Sequence, residues 1–234
     1  MDSVSLFTQE GLVMMLRWVH FFAGVAWIGH LYYFNFVQGA FFAEIEAPVK
    51  NVAFQKLVPK ALWWFRYGAL WTFISGFGML MISAHDLKGD FFQTPYGIYI
   101  YTGALMGILM FINVWAIIWP KQQIMIASAN AVLSGGQANP EAAKVAPQAL
   151  LASRTNVLFS IPMLFFMGAS RHLGLVMPEN FSPMLPLLVV TVIILALEAN
   201  AIWGKIGPMA KPTGVIHSGL GLLVVLYSLL EILV

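Results

Sequence analysis

Six segments of the sequence are each long and apolar enough to cross a lipid bilayer, which constrains the fold more than any other feature. They are predicted at residues 11–37, 61–84, 97–119, 152–170, 183–203 and 214–234. An α-helix needs roughly 20 residues to span hydrocarbon, and a lone β-strand cannot satisfy its backbone groups there. The sequence therefore predicts an all-α integral membrane bundle of about six transmembrane helices, forming a single domain over residues 1–234.

The composition agrees with burial in a lipid bilayer and excludes several other classes of protein. Charged residues make up 9% of the 234 residues and hydrophobic residues 60%, whereas a soluble domain carries about 25% charged residues. The net charge of +2 is too small to indicate a nucleic-acid partner. Because the chain contains no cysteine, thiolate-bound iron–sulfur clusters, cysteine-bound zinc and covalently attached c-type haem are excluded within it.

Lysine and arginine lie mainly on one side of the predicted membrane. The connections after helices one, three and five, with their helix ends, hold nine of the twelve, and the other side holds Arg17, Lys88 and Arg171. The positive-inside rule then places both termini on the outer, periplasmic side of a bacterial inner membrane. Residues 1–10 lack a basic region and a cleavage site, so the first helix is expected to be retained. The nine are Lys50, Lys56, Lys60, Arg66, Lys121, Lys144, Arg154, Lys205 and Lys211.

The five histidines fall into two groups in this topology. His20, His85 and His172 belong to the outer half, and His30 and His217 to the inner half. A polar ring inside an apolar segment is costly and is therefore often functional. Imidazoles on different helices can ligate a haem iron, so the pattern predicts one or two b-type haems.

In this hypothesis His20 ligates an outer haem, with His172 or, as the weaker alternative, His85 opposite. His30 and His217 ligate an inner haem. The alternatives are that His85 is solvated, that His172 lies at the interface and that His30 only bonds a neighbouring helix.

Two further residues on the first helix support a haem beside His20. Gly24 lies one turn from His20 and leaves room for a flat macrocycle, and Arg17 lies on nearly the same face. An arginine there can pair with a haem propionate. Close helix packing explains the glycine equally well.

Three other polar residues lie within apolar segments. Glu198 indicates a proton or quinone site, or a carboxylate paired with Lys205. Asn113 and Asn156 are interpreted as hydrogen-bonding groups between helices.

Several motifs resemble the membrane-bound urate hydroxylase family, also known as the urate oxidase N-terminal domain. The first is Trp18-Val19-His20-Phe21-Phe22-Ala23-Gly24-Val25-Ala26-Trp27-Ile28-Gly29, and the second is Trp64-Phe65-Arg66-Tyr67-Gly68-Ala69-Leu70-Trp71-Thr72-Phe73-Ile74-Ser75-Gly76-Phe77. The third covers residues 107–120 with Asn113, Trp119 and Pro120, followed by Lys121-Gln122-Gln123. The fourth covers residues 154–172 with Asn156, Pro162 and His172.

The resemblance implies a membrane oxidoreductase that passes electrons to a c-type cytochrome, and it favours His20 and His172 as functional positions. The chain departs from that family in four respects. It ends after the sixth predicted helix, and it has no cysteine for an attached cytochrome c. It has His30 where members usually carry a small residue, and Ser153-Arg154-Thr155-Asn156 where members carry a histidine. It is thus expected to be a short member without the cytochrome c domain.

Three functions follow as hypotheses. The first is a b-type cytochrome that carries electrons within or across the bilayer to a c-type cytochrome or a larger membrane complex. The second is a urate- or purine-oxidising membrane enzyme, whose catalytic residues the sequence does not identify. The third is a cofactor-free structural subunit of a respiratory or photosynthetic assembly.

Overall fold

The computed structural model describes residues 5–178 and 181–234, and within these residues it contains helices and no strand. In this described part of the chain, six helical segments are long and apolar enough to cross a membrane. The predicted all-α membrane fold is therefore confirmed. The helices are α1 Gln9–Glu44, α2 Ala47–Lys56, α3 Val58–Leu87, α4 Pro95–Leu133, α5 Pro140–His172, α6 Met184–Trp203 and α7 Pro212–Leu233; α2 is the short one, and a 3₁₀ turn, Lys88–Gln93, extends α3.

Helices α4 and α5 are longer than hydropathy alone indicates. Residues 121–132, which lie beyond the predicted span 97–119, continue α4 to Leu133. Helix α5 begins at Pro140, where Asn139 caps it by accepting a hydrogen bond from the backbone N–H of Glu141. The predicted segments covered only the apolar part of each helix, because a helix continues past the bilayer where its caps and backbone allow.

Helix α5 forms the centre of the bundle, and α1, α4, α6 and α7 pack against it. Its side chains are the most buried of the six spans. Helices α1 and α3 form a closely packed pair at one side, where a Cβ atom on Gly68 would lie 2.9 Å from the backbone nitrogen of Trp27. Small residues permit this approach of two backbones, as in many membrane helix pairs.

The contacts between helices define the direction of each span. Leu158 and Phe165 of α5 face Gly219 and Tyr227 of α7 in the same order, so these two helices run parallel. Antiparallel packing of α1 on α3 and of α4 on α5 completes an alternating bundle. We call the end that holds residues 45–57, 134–139 and 204–211 the distal end, and the end near Gln9 and Leu233 the terminal end.

Candidate functional site

A π-helical turn, Asn113–Ile118, interrupts α4 within the membrane-spanning part of the helix. The turn directly precedes Trp119-Pro120. Proline lacks an N–H and its ring clashes with the carbonyl four residues before it, so a wider turn relieves that clash. Such π turns occur frequently at functional sites, and this one begins at Asn113, whose side chain is fully buried.

Asn113 lies at the centre of a cluster of buried polar side chains from three helices. Its Nδ2 atom donates hydrogen bonds to Oδ1 of Asn156 on α5, at 2.9 Å, and to Oε2 of Glu198 on α6, at 3.1 Å. Asn156 in turn donates to the backbone carbonyl of Met110, at 3.0 Å. Asn113 and Asn156 are 0% exposed and Glu198 is 7% exposed. We call Asn113, Asn156 and Glu198 the amide–carboxylate cluster.

The cluster has unused hydrogen-bonding capacity. Among the described residues, Oδ1 of Asn113 is buried and has no hydrogen-bond partner. Burying a polar atom without a partner is costly, so Oδ1 of Asn113 favours a hydrogen-bond donor. The neighbouring buried carboxylate can accept a proton.

The structure corrects one alternative for Glu198 and confirms the interpretation of the asparagines. Glu198 bonds Asn113 and forms no ion pair with Lys205 within the described residues. Lys205 instead closes the end of α6, where its backbone N–H donates to Oδ1 of Asn200. Asn113 and Asn156 do bond each other between helices, as predicted.

A second buried polar contact, which the sequence analysis did not identify, joins α1 to α5. A π turn, Tyr33–Gln38, contains the buried Asn35, which donates to Oγ of Ser153 at 2.8 Å. The hydroxyl groups of Tyr32 and Ser160 bond at 2.9 Å nearby. An asparagine at the end of an apolar run was the available signal, since such a residue needs a partner in lipid.

His20 is half-buried at the interface between α1 and α3. Its Nδ1 lies 2.9 Å from the backbone oxygen of Thr72, and its ring lies so close to Gly76 that a Cβ atom there would be 2.8 Å from Cε1. Donation by Nδ1–H to a carbonyl leaves Nε2 as the free nitrogen, which is the usual arrangement for a metal-ligating histidine.

The other four histidines lie apart from His20. His30 is half-buried and its Nδ1 bonds the carbonyl of Ala26 on its own helix. His217 is exposed on α7, whose buried face packs on α5. His85 is exposed, and its Nδ1 lies 3.4 Å from Oδ1 of Asp86. His172 is exposed at the end of α5.

Arg17 and Gly24 lie on α1 as predicted. Arg17 is half-buried. Gly24 faces Thr72 of α3, with a hypothetical Cβ at 3.9 Å, which is ordinary packing distance. The helix-packing explanation of Gly24 therefore accounts for its position.

The surroundings of His20 meet only part of what axial haem ligation requires. The polar contacts of the His20 ring in the described structure are Thr72 and Ser75, and neither supplies a second imidazole. No three histidine or acidic side chains in the described ranges come together as a metal site. The pairings of His20 with His172 or His85, and of His30 with His217, stay predictions.

The fold and the site together define a multi-pass membrane protein with a buried amide–carboxylate cluster on three of its six spans. Residues 90–203 match the protein family described as urate oxidase N-terminal. The match covers just under half of the chain, and it agrees with the resemblance that the sequence motifs indicated. No curated protein and no solved structure matches the chain.

Proposed function

We propose that this chain is a urate-hydroxylase-like membrane oxidoreductase that oxidises urate or a related purine. One observation carries the proposal: the matched segment, residues 90–203, contains all three residues of the amide–carboxylate cluster. Of the five histidines, only His172 lies in that segment. The segment that matches the family model therefore contains more buried amide and carboxylate groups than imidazoles.

The cluster suits the chemistry of a purine ring that carries N–H donors and carbonyl acceptors. Oδ1 of Asn113 can accept a ring N–H, and the Glu198 carboxylate can accept a proton as the ring is oxidised. Hydroxylation by water adds the water oxygen to the ring and releases two protons and two electrons. The electrons pass to a one-electron acceptor of the c-type cytochrome class, two molecules for each purine, and Glu198 receives one of the protons.

The experiment is a turnover assay on purified full-length protein in lipid nanodiscs, with urate and oxidised cytochrome c. We expect loss of urate with wild-type protein and a decrease in rate of roughly 100-fold or more with Glu198→Gln. Glu231→Gln is the matched control, because Glu231 lies near the opposite end of the bundle and bonds Tyr99. Folded wild-type protein that consumes neither urate nor a related purine would overturn the proposal.

A second candidate, a b-type cytochrome, is favoured by the orientation of His20. The bond from its Nδ1 to Thr72 leaves Nε2 available to a haem iron, and the haem would supply one-electron transfer when bound. The test is a reduced-minus-oxidised spectrum with haem quantitation on wild type, His20→Ala and a control, Gln123→Ala, at an exposed residue outside the predicted haem ligands. Fully folded wild-type protein without haem discards this candidate. If it also oxidises no purine and co-purifies with large partners, a structural subunit is supported instead.

A further inference from the structure

Arg66 of α3 lies against aromatic side chains at the contact between α3 and α4. Its guanidinium carbon Cζ is 3.5 Å from the ring centre of Trp119, 5.0 Å from that of Trp115 and 5.2 Å from that of Tyr67. The electron-rich face of an aromatic ring attracts a cation, so these contacts hold the guanidinium in place. They supply no negative charge and no acceptor oxygen to its N–H groups.

Two N–H donors in this group of residues are enclosed and lack an acceptor among the described residues. They are Nε of Arg66 and Nε1 of Trp115. Neither ion pair found in the described ranges includes Arg66. The Arg66 side chain is only half-buried, and its Nη groups are not among the enclosed atoms, so a ligand can reach them. Because unsatisfied buried donors are costly, the two side chains favour a negatively charged group with several acceptor oxygens.

This group of residues lies at the depth of the lipid headgroups at the distal end. Trp119 is the last residue of the predicted span 97–119, and Lys121 follows two residues later. Helix α3 begins at the distal end, and helical side chains lean toward the N-terminus of their helix, so Arg66 leans toward the headgroups. Trp64 is 53% exposed nearby, as expected for an aromatic belt at a membrane interface.

The charge around Arg66 is positive. Residues 58–84 and 95–133 contain the cations Lys60, Arg66 and Lys121 and no aspartate or glutamate. Helix α2, which packs beside the distal part of α4, likewise contains lysines and no acidic residue. Basic surfaces between transmembrane helices bind anionic lipid headgroups. The surface therefore favours a headgroup with a net negative charge over a zwitterionic one.

An apolar face of α4 continues from this position toward the centre of the membrane. Ala116, Ile112 and Ile108 follow one another at intervals of four residues, so they share a face of the helix. Ile112 is 46% exposed and Ile108 is 36% exposed, and Ala116 is exposed. A lipid acyl chain can lie along this face while its headgroup contacts Arg66.

We propose that Arg66, Trp115 and Trp119 form a binding site for the headgroup phosphate of an anionic phospholipid in the leaflet at the distal end. Arg66 pairs with the phosphate, Nε1 of Trp115 donates a hydrogen bond to it, and an acyl chain lies along the exposed isoleucines of α4. Trp115 lies within the π turn that begins at Asn113, so the lipid also stabilises the contact of that turn with α3. A free phosphate ion lacks the acyl chains that this membrane-facing surface accommodates.

The test is native mass spectrometry of the full-length protein in detergent with phosphatidylglycerol, which is anionic, or phosphatidylcholine, which is zwitterionic. Wild-type protein should bind phosphatidylglycerol about fivefold more tightly or better, and Arg66→Gln should weaken that binding about fivefold or more. Arg171→Gln is the matched control, because Arg171 also lies over an aromatic ring, that of Tyr96 at 4.5 Å, but at the terminal end. Equal effects of the two variants on phosphatidylglycerol binding overturn the proposal.

A second variant tests the hydrogen bond without removing a charge. Trp115→Phe keeps an aromatic ring beside Arg66 and removes only the indole N–H, so phosphatidylglycerol binding should weaken about threefold. Trp64→Phe, at an exposed indole, is its control and should bind like wild type. Equal binding by these two variants contradicts the proposal.

The wild-type protein alone keeps the proposal testable if Arg66→Gln does not fold. Equal affinity of folded wild-type protein for the two lipids contradicts the proposal. Inorganic phosphate should not displace phosphatidylglycerol, and displacement at equal concentration would overturn the assignment of the site to a lipid. These measurements involve no turnover, so their outcome is independent of the proposed oxidation of a purine.

Discussion

Asn113 of α4 bonds Glu198 of α6 across the interior of the bundle, with 3.1 Å between Nδ2 and Oε2. The same Nδ2 atom bonds Asn156 of α5, so one amide group connects three spans. Polar contacts of this kind fix helix positions in lipid, where apolar packing alone provides little preference. The cluster thus has a structural role as well as the catalytic role proposed for it.

Replacement of Asn113 by leucine should destabilise the bundle. The substitution leaves Glu198 and Oδ1 of Asn156 without their donor, and we expect a loss of about 1–2 kcal/mol in the free energy of unfolding. The midpoint of unfolding in a titration with sodium dodecyl sulfate measures it. Gln123→Leu, at an exposed amide on the same helix, is the control and should change little. Equal stability of the two variants would contradict the structural role.

The parallel contact of α5 with α7 depends on the absence of a side chain at Gly219. A Cβ atom there would lie 2.5 Å from Cδ1 of Ile161 and 3.1 Å from the carbonyl oxygen of Leu158. Because the backbone cannot yield easily, Gly219→Ala should cost about 1–3 kcal/mol. Gly221→Ala, with nothing within 4 Å of its Cβ, provides the control in the same unfolding assay. If Gly219→Ala is tolerated as well as Gly221→Ala, the described packing of α5 on α7 is wrong.

The orientation of the bundle in the membrane is a prediction from charge, and the absence of cysteine makes it directly measurable. Single cysteines at Gly89 and Gly135 would lie near opposite ends of the bundle. The positive-inside rule places Gly89 outside and Gly135 inside. A membrane-impermeant maleimide should therefore label Gly89→Cys protein in intact cells, and Gly135→Cys protein only after permeabilisation. The reverse labelling pattern would invert the topology.

The sequence predicts the spans well because hydropathy over 20 residues is a local property. It also identifies Asn113, Asn156 and Glu198 as polar residues that need partners in an apolar environment. Which residues meet depends on helix rotation and register, which packing determines. The alternative in which Glu198 pairs with Lys205 was therefore wrong, and Glu198 accepts a hydrogen bond from Asn113 instead.

Two features of the structure could not be predicted from the sequence. The π turns at Asn35 and Asn113 alter the rotation of every later residue around the helix axis. A helix face predicted with a constant 100° per residue is therefore wrong beyond each turn. Arg154 was counted among basic residues at a membrane interface, where long side chains reach water. Its burial results from the packing of α5 at the centre of the bundle.

The stoichiometry of urate consumed to cytochrome c reduced, measured on purified protein in nanodiscs, tests the central claim most directly. For wild-type protein we predict one urate consumed for every two cytochrome molecules reduced. With Glu198→Gln both rates should fall together by roughly 100-fold or more. Urate loss without cytochrome reduction, or equal rates in wild type and Glu198→Gln, would contradict the assignment of the amide–carboxylate cluster to purine oxidation.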